Sequence, residues 1–230
     1  MLAIEEPELY LHPHGCRHFF GLLQELSKEG LQIIYTTHER SFVDAGEFEQ
    51  IHIVRRPEGA TEITSGLSLP FSQPRERLRI QSRFNDSLNE MFFARCVILV
   101  EGYADEVACR CALLSREIEL DRESVSIVSL GGKNELPIVA ELLHGFRIPT
   151  IVLMDEDPGN ASTAATHEDV KKFIGAENLF LCTPKLEGVF GLSKKPNRVE
   201  AISVFPDWFS QNPAPEIYGK LAAHVRSLLS

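Results

Sequence analysis

The sequence predicts an α/β fold, a parallel sheet flanked by helices and preceded by a smaller α/β segment. Three observations predict it. From residue 96 to 182, short apolar runs alternate regularly with helical patterns, the mark of a parallel sheet covered on both faces. Residues 2–45 carry a separate strand–helix–strand pattern. Between the two, residues 67–79 hold two prolines, three arginines and little periodic apolar content, which places a boundary there.

Each element has its own local reason. Leu2–Glu5 (LAIE) reads as a buried strand, ended by the turn at Pro7 and a loop through His12-Pro13. The spacing of Phe19, Phe20, Leu22, Leu23 and Leu26 predicts an amphipathic helix from about 13 to 28, stopped by Gly30. A strand over 31–36, a polar turn at Thr37-His38-Glu39 and a short helix near 40–45 follow. Runs 50–56 and 61–66, separated by Pro57-Glu58-Gly59, read as a hairpin. Residues 75–93 look like a connecting helix with Leu78, Phe84, Leu88 and Phe92 on its apolar side.

In the second segment the predicted strands are 96–100, 124–129, 149–154 and 178–182. The predicted helices are 104–116, 133–145 and 163–174. The tail, 184–230, reads as helical with breaks at Pro196, Pro206 and Pro213–Pro215. The organisation expected is thus 1–67, a linking helix 68–94, the main sheet domain 95–190 and a helical end 191–230.

Bulk properties narrow the class. Hydrophobic residues make up 43% and charged residues 24% of 230, ordinary values for a globular chain. No apolar run is long enough to span a bilayer, and the first residues lack signal-peptide order, so a cytoplasmic address without membrane contact is expected. Five scattered cysteines fit a reducing compartment, and none has a second Cys/His pair at zinc spacing. The net charge of −10 excludes a passive nucleic-acid coat. It leaves room for an enzyme whose acidity is partly a carboxylate cluster awaiting Mg²⁺ or Mn²⁺.

That cluster is visible at the strand ends, where open parallel sheets bind ligands. Strand 96–100 ends in Glu101-Gly102, with Asp105 four residues beyond Glu101. Strand 124–129 ends in Leu130-Gly131-Gly132-Lys133. Strand 149–154 ends in Asp155-Glu156-Asp157. Asp155 and Asp157 are two apart, so they point the same way if strand geometry persists. A lone acid after a strand is ordinarily a solvated loop residue or a helix cap. Acids at two strand ends, with a Gly-Gly turn at a third, would repel one another without cations. A divalent metal relieves that repulsion and can activate water against a phosphodiester.

Val100-Glu101-Gly102, Gly131-Gly132 and Asp155-Glu156-Asp157, in this order over about 95–182, resemble the E…DxD signature of TOPRIM domains. The resemblance implies that Glu101 is a metal ligand or general acid/base and that Asp155 and Asp157 hold metal. Asp105 matches the additional ligand of the nuclease branch. In the front segment, the run from Leu2 to Pro13 resembles the Walker B strand and D-loop of ABC-type ATPases. There Glu5 and Glu6 would serve Mg²⁺ and the attacking water, and His38 would be the switch histidine. No GxxxxGK[ST] phosphate loop precedes them. ATP use is therefore expected only if the missing half is supplied. The expectation is that the chain is the C-terminal piece of a longer protein or carries a vestigial ATPase half.

An ATPase segment followed by a TOPRIM nuclease resembles the overcoming-lysogenization-defect (OLD) family. IEEPELYLHP, TTH, LVEGYAD, LGGKNELP and LMDEDPGN carry the likeness along residues 2–160. This resemblance implies two-metal cleavage of DNA, in phage defence or repair, by Glu101, Asp105, Asp155 and Asp157. A later acid, Glu187, would complete a metal shell. A lysine, Lys195 or its neighbour Lys194, would stabilise the transferring phosphate. Lys133, at a helix start, could contact a phosphate instead. A homo-oligomer through the ATPase half or the C-terminal region is also expected. Two other readings stay open: a primase- or topoisomerase-like TOPRIM enzyme, and a non-catalytic scaffold of the recombination-mediator kind.

Overall fold

In a computed structural model describing residues 1–56, 59–69 and 88–230, the second half of the chain is a four-stranded parallel sheet. Its strands are β5 (Cys96–Val100), β6 (Val125–Ser129), β7 (Thr150–Asp155) and β8 (Leu179–Cys182), in the order β6-β5-β7-β8. The register pairs Val100 with both Ser129 and Leu153. The central strands β5 and β7 therefore finish side by side, and both release the chain at the same edge. All five residues of β5 are wholly buried.

Side-chain alternation divides the core into two layers. Cys96, Ile98, Val100, Ile151 and Leu153 face α2 (Tyr103–Leu114), α7 (Arg198–Gln211) and α8 (Glu216–Leu229). Val97, Leu99, Val152 and Met154 face α4 (Leu136–Gly145) and α5 (Ala161–Ile174). Short helices α3 (Leu120–Glu123) and α6 (Leu186–Val189) complete the set.

The front segment follows the expected order. β1 (Leu2–Glu5) pairs in parallel with β2 (Ile33–Thr36), and α1 (Pro13–Lys28) packs Cys16 and Leu23 beneath them with Phe42. The His12 ring accepts from the Gly15 amide at 2.8 Å and caps α1 ahead of Pro13. β3 (His52–Arg55) and β4 (Glu62–Ser65) form the antiparallel hairpin. Asn89 ties this segment to the sheet: its side-chain amide donates to the Val43 carbonyl at 2.7 Å, beside an Arg40–Glu90 ion pair at 3.1 Å.

Three expectations need correction. The strand Leu2–Glu5, read as buried, leaves Leu2, Ala3 and Glu5 exposed, because α1 covers only one face of the β1–β2 pair. The connecting helix over 75–93 falls mostly outside the described residues. Its described end, Asn89–Phe93, is a 3-10 turn rather than an α-helix, because Met91 and Phe92 both turn into the core while Asn89 holds the front segment. Pro206 does not break the tail. It lies inside α7, on an exposed position between Phe205, Trp208 and Phe209, whose packing around Phe190 at 4.9, 4.9 and 5.7 Å holds the helix on both sides of the lost hydrogen bond.

The start of α7 is fixed as firmly. Asn197 accepts from the Val199 and Glu200 amides while Glu200 reaches back to the Asn197 amide at 2.9 Å, a reciprocal cap. Asn197→Ala is expected to cost about 1 kcal/mol, read as a lower urea midpoint with an unchanged slope. That cap sits two residues after Lys195, so it also fixes the loop that enters the site.

Candidate active site

The adjacent ends of β5 and β7 bring Glu101, Asp105 and Asp155 together. Glu101 leaves β5 and accepts from the Asp155 amide at 3.0 Å, which locks the two strand ends to each other. Asp105, in the first turn of α2, is 1% exposed and accepts from the Gly102 amide at 3.1 Å. Asp155, 7% exposed, accepts from the Leu186 amide at 2.7 Å. His167 on α5 lies behind it, with Nε2 3.1 Å from the Asp155 carbonyl oxygen, so that nitrogen carries the proton.

One cation stands among these acids. Lys195 Nζ is 2.9 Å from Asp105 and 3.4 Å from Asp155. Burial opposes its charge, but Asp105 and Asp155 more than offset this and hold the ammonium protonated well past its ordinary range. Burial also pushes the Glu101 carboxyl up, and the neighbouring Asp155 and Asp105 add to the rise against Lys195. The Asp105 carboxyl is likewise raised by burial, with Lys195 reversing part of the effect. Asp105 and Asp155 contact the ammonium and Glu101 adds its charge beside them, so the carboxylates outnumber the cation at this partly buried edge. Lys194, the other candidate, points away and pairs with Glu200 at 3.1 Å on the surface.

Asp157 departs from expectation. β7 ends at Asp155, and Asp157 has a left-handed φ of 50°, so the strand geometry needed to align it with Asp155 is lost. Its carboxylate binds Lys185 at 2.6 Å instead. The Lys185 hydrogen bond holds the Asp157 carboxyl below the usual range. The four acids therefore do not converge as one group: three do, and the fourth sits apart on its own lysine. Glu187 lies one residue beyond the amide that binds Asp155, and its buried Oε2 has no partner. Lys185, Thr163 and His167 carried no sequence signal of their own. Their roles come from contacts across the sheet edge.

The donor chemistry fits a divalent cation. Glu101, Asp105, Asp155 and the Glu187 oxygen that lacks a partner are hard oxygen donors of the kind divalent cations take. Among the described residues, no group of three His, Cys, Asp or Glu side chains is arranged to hold a metal ion; the Lys195 ammonium stands between Asp105 and Asp155. In the front segment, Glu6 and His38 meet at 3.5 Å, and the His38 amide donates to Glu8 at 2.8 Å. Glu5, at the end of β1, is exposed.

The TOPRIM domain of overcoming lysogenization defect-like proteins matches residues 92–157, the span of β5 to the Asp155–Asp157 turn. The chain belongs to the OLD family. An AAA ATPase domain matches residues 1–43, the segment holding Glu5, Glu6 and His38. An OLD nuclease of Thermus scotoductus is 32% identical over 227 residues, covering 87% of this chain and 43% of that protein. The Old nuclease of Escherichia phage P2 is 27% identical, over 74% of this chain and 30% of its own length. The endonuclease GajA of Bacillus cereus is 21% identical over 68% and 26%. This OLD-family chain thus spans less than half the length of each of these relatives. Among its described residues, no helix is long and apolar enough to cross a membrane.

Proposed function

We propose that this chain carries a metal-dependent endonuclease site that hydrolyses DNA phosphodiester bonds, with Glu101, Asp105 and Asp155 at its centre. The observation that supports it most is the meeting of Asp105 and Asp155 on Lys195, with Glu101 bonded to the Asp155 amide, at the carboxyl ends of adjacent parallel strands. Mg²⁺ or Mn²⁺ would be held by Glu101, Asp105 and Asp155, with Asp157 and Glu187 completing the shells. Bound there, the metals would supply charge neutralisation and an activated water.

The chain's own residues do the rest. Glu101 holds the backbone of Asp155 in place, and the Leu186 amide orients the Asp155 carboxylate. Lys195 keeps its proton and offers it to the oxygens of the phosphate, where negative charge develops. The Asn197 cap and Arg198, stacked 4.7 Å over the Tyr103 ring, keep the Lys195 loop against α2. Glu5, Glu6 and His38 form part of a nucleotide site, complete only with a phosphate loop supplied from elsewhere. The exposed Leu9, Tyr10 and Ile34 of that segment are where a homo-oligomer or the missing half would pack. The reading places the protein in the cytoplasm, in phage defence or DNA repair.

A second reading has its own support: Lys195 already balances part of the cluster, as it would in a scaffold that never turns over. Conversion of supercoiled plasmid to open-circular or linear DNA separates the two. The nuclease reading predicts product with Mg²⁺ or Mn²⁺ and none with EDTA. Folded, metal-binding protein that yields no product would refute autonomous cleavage and favour the scaffold.

A further inference from the structure

Asp157 is the hub of a second arrangement beside the carboxylate trio. Its Oδ1 is 2.6 Å from Lys185 Nζ. Its Oδ2 accepts from the Thr163 hydroxyl at 3.3 Å, and that hydroxyl in turn accepts from Lys133 Nζ. Thr163 is wholly buried, so the hydroxyl is a fixed post and not a surface accident. Three loops contribute: Lys133 follows β6, Asp157 follows β7 and Lys185 follows β8. One ammonium, that of Lys185, thus binds the carboxylate directly, and a second, that of Lys133, is linked to it through the Thr163 hydroxyl.

The turn that delivers Lys133 is specialised. Gly131 and Gly132 have φ of 73° and 157°, conformations that side-chain-bearing residues rarely adopt. Lys185 immediately precedes Leu186, whose amide binds Asp155, so the positive pair lies next to the trio. In a chain of net charge −10, two lysines linked to one aspartate at the ligand-binding edge of the sheet form a distinct cationic pair. Lys185 alone satisfies Asp157, so charge balance at that carboxylate does not require Lys133 beside it.

We propose that Lys133 and Lys185 form a binding subsite for a DNA backbone phosphate, with Asp157 as the counter-ion that Lys185 leaves when the phosphate arrives and Lys133 placed beside it by Thr163. Two ammonium groups, one of them positioned by the buried Thr163 hydroxyl, supply charge-assisted donors for a tetrahedral oxyanion. The choice of DNA rests on the nuclease reading. The distinctive consequence concerns Asp157: as a counter-ion it competes with the phosphate, so its neutralisation strengthens metal-free binding.

The test is anisotropy of a short fluorescein-labelled duplex in EDTA, titrated with the chain across a KCl series. Lys133→Ala and Lys185→Ala are each expected to weaken binding and to lower the slope of log K against log[KCl] by about 1. Lys185→Arg keeps the wild-type slope. Lys220→Ala, which removes an exposed lysine paired with Glu216 on α8, also leaves it unchanged. Asp157→Asn tightens binding about three- to tenfold. Unchanged slopes in both alanine variants, or weaker binding by folded Asp157→Asn, would overturn the subsite. Failure of the nuclease reading is separable: a chain that never nicks plasmid but shows these slopes keeps the phosphate subsite, and one that nicks with unaltered slopes loses it.

Discussion

Asp155→Asn is expected to lower plasmid nicking by about a thousandfold or more while leaving the fold intact. Asparagine is nearly isosteric, and its carbonyl oxygen can still accept from the Leu186 amide, now 2.7 Å from Asp155. Its NH₂ would face the Lys195 ammonium, which lies 3.4 Å from the present carboxylate. The variant therefore loses a metal-binding charge and gains a donor–donor clash at the reacting edge. Glu101→Gln is a companion with the same expected direction, since glutamine keeps an acceptor for the Asp155 amide. Rates from single-turnover nicking, with circular dichroism to verify folding, check both. Nicking within tenfold of wild type in either variant would place the chemistry elsewhere.

Lys195→Met is expected to lower stability without metal by about 2 to 3 kcal/mol. The substitution leaves Asp105 and Asp155, with side chains only 2% and 10% exposed, without their shared cation. Breaking a fully buried pair costs more; here the lysine side chain is 34% exposed, so solvent screens part of the loss. Urea unfolding in EDTA measures it. Added Mn²⁺ should restore more of the midpoint in Lys195→Met than in wild type, because the metal supplies the charge the lysine carried. Equal metal-induced shifts in the two proteins would show that Lys195 and the metal do not share these acids.

Much of this site was legible in the sequence because strand ends are local features. Apolar runs ending in Glu101 and Asp155 give the positions of both acids, and four residues place Asp105 one turn into the next helix. The parallel sheet, the hairpin and α1 follow from the same periodicities. What periodicity cannot carry is a single backbone rotation: the φ of 50° at Asp157 sends that carboxylate to Lys185 rather than toward Asp155. Nor can it separate adjacent lysines. Lys195 reaches Asp105 from 90 residues away and Lys194 meets Glu200, a difference fixed by the cap at Asn197 and the packing of α7. The helix read across 75–93 failed at its described end for a similar reason, since Asn89 bonds to residues 46 and 49 positions earlier in the chain.

The most direct test of the central claim is calorimetric titration of Mn²⁺ into the metal-free chain, alongside Glu101→Gln and Asp155→Asn. Saturable binding by the wild type is expected, with binding weakened at least tenfold in both variants, each removing one carboxylate from a shared shell. Mn²⁺ binding unaffected by either substitution, or absent from the folded wild type, would contradict it.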